Sequence, residues 1–138
     1  MNYRVRKLSE QLVYIRWLQR PSAVEGYEFV QDLRDILNES PQPLYFISDL
    51  RKGQITDVQV LRQLGDLTKH AYWAGSTAFS ELISSKVFVD VFTSLAQQRT
   101  REIWPTAQEA LAYLESICPG VTTDIDWDDV LSDKPAHT

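Results

Sequence analysis

The segment of residues 44–50 reads Leu-Tyr-Phe-Ile-Ser-Asp-Leu, and it constrains the fold more than any other stretch of the chain. Its apolar residues run on without the alternation of a half-buried strand, and Pro41 and Pro43 precede them. Such a run is typical of a strand that is buried on both faces, in a parallel sheet covered by helices. Seven residues are too few for a buried helix. We therefore predict that this segment is the central strand of an α/β domain.

The length and composition favour a single globular domain. The chain has 138 residues, of which 43% are hydrophobic and 24% are charged. No apolar run approaches the roughly 20 residues of a membrane span, and residues 1–7 have no apolar signal-peptide core. Cys118 is the one cysteine, so no internal disulfide forms. We expect a cytoplasmic protein without a membrane span.

Negative charge is concentrated at the C-terminal end. The net charge is −5, and residues 122–138 contain five aspartates and one lysine. We predict a domain of residues 1–120 and an acidic tail of residues 121–138. The tail either docks, on its own domain or on a partner, or is solvated with Trp127 as its one anchor. Clustered basic residues are missing, which argues against nucleic-acid binding. Asp124, Asp126 and Asp128 have calcium-loop spacing, but Asp129 and Pro135 stand where that loop needs Gly and Glu.

Periodicity and capping signals predict the other elements. Strands are expected at residues 3–8, 11–18, 76–82 and 101–104, and helices at residues 22–38, 56–70 and 84–98 and after Thr106. Ser22 and Thr106 are each followed by a glutamate three residues later, as in a capping box, and Thr56 is the predicted N-cap of the second helix. Gly75 separates that helix from the next strand. A strand at residues 86–92 is the alternative to the third helix. The predicted order is ββαβαβαβα, with a mixed, mostly parallel sheet covered by helices.

This order resembles the STAS domain family, and within it the SpoIIAA-like bacterial group of anti-sigma-factor antagonists. The resemblance covers about residues 2–116. It depends on the opening hairpin, on Phe-Ile-Ser-Asp-Leu at residues 46–50 before a turn and a helix, and on the closing segment of residues 101–114. It implies a SpoIIAA/STAS-like fold and a regulatory module that binds another protein.

The family's switch is a phosphorylated serine at the start of the helix after the central strand, usually in an Asp-Ser-Ser-Gly context. Asp57 matches the aspartate, but Val58 and Gln59 stand at the serine positions and Val60 at the glycine. The resemblance therefore implies a module that is not switched by phosphorylation at this place. Thr56 is the nearest hydroxyl.

Five residues are candidate partner or ligand contacts at the carboxyl edge of the sheet. Asp49 ends the central strand, where open α/β sheets bind ligands, and the alternative is a turn aspartate that bonds its own backbone. Thr56 and Asp57 lie at the start of one predicted helix, and Ser84 and Ser85 at the start of the next. Helix starts bind anions, but these residue types are also ordinary caps.

No catalytic group, metal site or cofactor is predicted. The two histidines, His70 and His137, have no second ligand at metal-binding spacing, and there is no glycine-rich phosphate loop. An enzyme needs a positioned base or nucleophile, and the sequence offers none.

Two non-catalytic functions remain, and we favour a regulatory protein-binding module that also forms a homodimer. The alternative is a carrier of a small apolar ligand or lipid, because SpoIIAA-like sheets resemble the CRAL-TRIO lipid-binding fold. Large apolar residues late in the chain support the carrier: Trp73, Phe79, Phe88, Phe92 and Trp104. The same residues also suit a core.

Overall fold

The computed structural model describes residues 2–80 and 102–132, in which five strands form one sheet. The strands are β1 (Tyr3–Lys7), β2 (Leu12–Trp17), β3 (Leu44–Asp49), β4 (Trp73–Phe79) and β5 (Glu102–Trp104). Their order in the sheet is β1-β2-β3-β4-β5; β1 is antiparallel to β2 and the three later pairings are parallel. The predicted fold class is confirmed, and β3 is the central strand.

Four helices are described: α1 (Ala23–Glu39), α2 (Val58–Leu67), α3 (Ala107–Ile117) and the short α4 (Trp127–Val130). The helix predicted at residues 84–98, with its alternative strand, lies outside the described residues. Within residues 2–80 and 102–132, no helix has the length and apolar character to cross a bilayer.

The sheet separates two apolar cores, which explains the continuous apolar run of β3. Leu44 and Phe46 pack with α1 and α2 on one face, which we call the helix face. Ile47 packs with α3 and residues 121–131 on the other, the tail face. Because successive side chains of a strand point to opposite faces, both sets of positions must be apolar when both faces are covered. All three side chains are fully buried.

The chain after α3 packs on the domain. Val121 and Val130 are 3% and 6% exposed and belong to the core of the tail face. The indole nitrogen of Trp127 donates to the carbonyl of Thr122 at 2.9 Å, which closes the segment on itself. The apolar residues of this acidic stretch thus fasten it to the tail face, where Ile125, Trp127 and Leu131 pack beside Val121 and Val130.

The starts of α2 and β4 differ from the prediction. The N-cap of α2 is Asp57 and not Thr56, because the Asp57 carboxylate accepts the N–H of Val60 at 3.0 Å. Strand β4 begins at Trp73 rather than at residue 76, and Gly75 lies inside the strand. A Cβ at Gly75 would lie 3.4 Å from both Tyr45 and Ile117, so a small residue suits this crowded position.

Candidate functional site

The carboxyl ends of β2, β3 and β4 meet at one edge of the sheet. Arg16 pairs with Asp49 across β2 and β3, and Asp49 pairs with Phe79 across β3 and β4. Open α/β sheets bind ligands outside the carboxyl ends of their strands. This edge holds Asp49, the first of the sequence candidates.

Asp49 lies in a dense polar network beneath the surface, with 1% of its side chain exposed. Its Oδ2 accepts hydrogen bonds from the Tyr14 hydroxyl and from Nη2 of Arg51, both at 2.6 Å. Its Oδ1 accepts from Nε of Arg51 at 2.9 Å and from the Arg51 backbone N–H at 3.1 Å. Nε of Arg16 lies 3.6 Å from Oδ2. A buried carboxylate needs such pairing, and the backbone bond is the turn contact that aspartate favours.

Tyr14 is held in its protonated form within this network. Burial is the main cause that raises the pKa of its hydroxyl, and the charge of Asp49 and the hydrogen bond to it act in the same direction. The hydroxyl is therefore a permanent donor to Asp49 at physiological pH.

The same two arginines bind the chain that follows α4. Nη1 of Arg16 donates to the carbonyl of Ser132 at 2.6 Å, and Nη2 of Arg51 donates to the carbonyl of Leu131 at 2.9 Å. The Arg51 guanidinium also lies 5.5 Å from the centre of the Phe79 ring. Of the alternatives predicted for the tail, the structure shows docking on its own domain for the residues up to Ser132. We call Tyr14, Arg16, Asp49 and Arg51 the tail latch.

Asp57 lies at the start of α2, on the helix face of the sheet and not on the tail face. The tail latch shares its face with α3, whereas α2 packs on the helix face. Thr56 precedes the cap and is half-buried, and Val58, the first residue of α2, is 50% exposed. The structure therefore places Asp49 and Asp57 on different faces of the sheet, and Thr56 beside Asp57.

The start of α1 adjoins the start of α2. A Cβ on Gly26 would lie 2.9 Å from both methyl carbons of Val60, so the two helices touch within their first turns. Val24 and Tyr27 flank this contact in sequence and are 66% and 39% exposed. The first turns of both helices thus carry large apolar side chains in contact with solvent.

The cap of α1 has both halves of the predicted capping box. The Ser22 hydroxyl accepts the Glu25 N–H at 3.2 Å, and the Glu25 carboxylate accepts the Ser22 N–H at 3.2 Å. Asn2 donates its side-chain amide to the same carboxylate at 2.8 Å. These bonds, chiefly that of the Ser22 backbone, lower the pKa of Glu25.

The remaining residues considered in the sequence are Ser84, Ser85 and His70. Ser84 and Ser85 lie outside the described residues. His70 has both ring nitrogens bonded, Nε2 to the Asn38 amide oxygen at 2.9 Å and Nδ1 to the Tyr72 N–H at 3.0 Å. In the two described segments no cluster of three or more His, Cys, Asp or Glu residues has the geometry to hold a metal ion.

Comparison with known proteins shows similarity at the level of the fold. No family model matches the sequence, and no curated protein has a significant match to it. Among solved structures, the chain is similar to the anti-sigma factor antagonist SpoIIAA in its unphosphorylated form, with a TM-score of 0.59 and 14% sequence identity. The match covers 83% of this chain and 96% of SpoIIAA. The chain therefore has the STAS-like α/β fold that SpoIIAA shows.

Proposed function

We propose that the chain is a non-catalytic regulatory module that binds another protein through the exposed start of α1 and α2. The observation that carries this proposal is the match to SpoIIAA over most of both chains, because SpoIIAA is an antagonist of a protein factor. The STAS-like fold is thus associated with protein binding, and the surface below is suited to it.

The proposed contact is the helix-start surface, defined here as Val24, Tyr27, Thr56, Asp57 and Val58. Three of these five residues are large, apolar and exposed, whereas charged or polar residues usually occupy such positions. Apolar side chains gathered at adjoining helix starts are typical of a protein-binding patch. The partner would insert apolar side chains of its own against them.

The charge of α1 specifies the partner further. The helix contains five acidic residues and one arginine between Ala23 and Glu39. Complementary charge steers association and selects among partners. We therefore propose a partner with a basic surface around an apolar centre.

Phosphorylation is not proposed to control this surface. Val58 and Gln59 stand where the resembling family carries its serines, and Thr56 lies before the cap of α2. Valine at the first position of the helix makes the surface apolar at all times. Intact-mass analysis after co-expression with an anti-sigma-factor kinase would contradict this by showing a phosphate on residues 56–59.

The test is native mass spectrometry of the protein purified from its own host. Wild type should retain a discrete protein partner, and Val58→Asp should lose it because a carboxylate would face the partner's apolar centre. Ala112→Asp is the matched control, since Ala112 is exposed on α3, on the tail face. Equal retention by both variants would refute the surface, and copurified lipid without a protein partner would favour the carrier function.

A cytoplasmic location and self-association are also part of the proposal. Both accord with a STAS-like fold whose described helices cannot span a bilayer. Light scattering after gel filtration should give twice the monomer mass of 15.9 kDa. A monomer at high micromolar concentration would refute the homodimer.

A further inference from the structure

A cavity lies between the sheet and the helices of the helix face, away from the tail latch. Its volume is about 50 Å³, and its walls include Ile15, Phe29 and Phe46. One water needs about 10–15 Å³ of such volume, so the cavity has room for several heavy atoms. Leu64 and Trp73 line it and are only half-buried, so the cavity lies close to solvent at these residues.

Two residues that line the cavity each have a buried polar atom with no hydrogen-bond partner among the described residues. These atoms are the indole nitrogen of Trp73 and the side-chain amide oxygen of Gln54. The Trp73 ring is fixed by stacking on Phe46, with centroids 4.3 Å apart and planes at 18°. The loop that carries Gln54 packs closely on the backbone at Gln19, because a Cβ on Gly53 would lie 2.4 Å from the Gln19 carbonyl. Such atoms are rarely left unpaired in a native protein, so each calls for an explanation.

A hydroxyl group has both of the functions that these two atoms call for, an acceptor and a donor. Its oxygen accepts a hydrogen bond from an indole N–H, and its hydrogen is donated to an amide oxygen. Apart from Gln54, the polar residues of the wall are Ser48 and Ser76, and the others are hydrophobic. Several waters in such a space would lack most of the partners that buried water needs.

We propose that this cavity binds a small molecule with one hydroxyl on a short apolar body, such as a short-chain alcohol. Trp73 and Gln54 would bind the hydroxyl, and Ile15, Phe29 and Phe46 would contact the carbon chain. The volume is far below the several hundred cubic ångströms of a typical ligand pocket, so a lipid is not the ligand. The site goes beyond the proposed partner contact and does not depend on it.

The test follows the indole N–H resonance of Trp73 by ¹⁵N–¹H NMR, with Trp73→Phe used to assign it. The probes are 1-butanol and 1-chlorobutane, which have similar carbon chains but differ in the hydroxyl. We expect 1-butanol to shift the resonance saturably. The affinity for 1-chlorobutane should be roughly tenfold weaker, because a hydrogen bond contributes about that factor.

Gln54→Met separates the hydroxyl contact from apolar filling, since methionine has a similar length and no amide. In this variant the preference for 1-butanol should disappear. Gln63→Met is the matched control, because Gln63 is exposed on α2, and it should keep the preference. The proposal is overturned if no probe shifts the resonance saturably, if both bind wild type equally, or if Trp73 shows contact with water that 1-butanol does not displace.

Discussion

Replacing Asp49 with asparagine removes the carboxylate to which Arg16 and Arg51 are paired, while it keeps the shape of the side chain. Only 1% of the Asp49 side chain and 9% of the Arg16 side chain are exposed. Solvent therefore screens poorly the arginine charges that are left without a carboxylate. The N–H₂ group of asparagine also replaces an oxygen that accepted from two donors, and it cannot accept from them. Removing one partner of a buried ion pair costs about 3–5 kcal/mol.

We expect the low end of this range, about 3 kcal/mol, because asparagine keeps one acceptor oxygen and Arg51 is 34% exposed. At this chain length, each kcal/mol lowers the melting temperature by about 3–4 °C. The variant should thus melt about 10 °C below wild type. Urea unfolding followed by tryptophan fluorescence measures the change in free energy, and an unchanged slope with urea would show that the two-state comparison is valid.

Asp66→Asn is the control for loss of an aspartate charge at the surface. Asp66 is 74% exposed and lies 4.0 Å from Lys69, and such surface pairs contribute about 0–1 kcal/mol. The reasoning is refuted if Asp49→Asn unfolds within about 1 kcal/mol of wild type, or if the two variants lose equal stability.

Three further predictions test other parts of the fold. Ile47→Asp buries an unpaired charge at a fully buried position, so it should lose several kcal/mol; wild-type melting would contradict its place in the core. Gly26→Ala should lose about 1–2 kcal/mol in urea unfolding despite the better helix propensity of alanine, because its Cβ meets Val60 at 2.9 Å, and adding Val60→Ala should cost less than the two single changes together. The pKa of Glu115 is held below its ordinary 4.5 by hydrogen bonds, chiefly the bond from the Thr122 backbone. The stability that the Glu115 carboxylate adds to the fold is therefore fully present above pH 4.5 and is lost as the pH falls further. The melting temperatures of wild type and Glu115→Gln should therefore converge below pH 4.5, and a constant difference would count against the role of Glu115.

Most of the sheet was predictable because its signals are local. The apolar run of β3, the alternation of Val13, Ile15 and Trp17 in β2 and the capping box at Ser22 all follow from the physics of single elements. The errors are at boundaries. Thr56 and Asp57 are adjacent and both are good caps, and only the path of the chain decides which one reaches the helix N–H groups.

The tail latch was not predictable as a unit, because its contacts join residues far apart in sequence. Asp49 was identified from its place at the end of a strand, but Tyr14, Arg16 and Arg51 were not assigned to it. The sequence did contain one signal of the tail latch. Arg16 follows Leu12 and Tyr14 on one face of a strand, and a charged residue on an apolar face indicates a buried partner of opposite charge. Whether a partner contacts Asp49, Thr56 or Asp57 stays a prediction.

The order of the strands in the sheet has a consequence for synthesis. Each described strand after β1 pairs with the described strand before it, so the sheet is able to grow from the N-terminal strands onward as the ribosome delivers them. The bond from Arg16 to the Ser132 carbonyl spans 116 residues and closes a long loop, which costs entropy and forms late. We therefore expect the carboxyl edge of the nascent domain to stay open until the segment that contains Ser132 has been translated. During that interval a chaperone or an early partner has access to Asp49 and Arg16, and the arrival of the tail ends it.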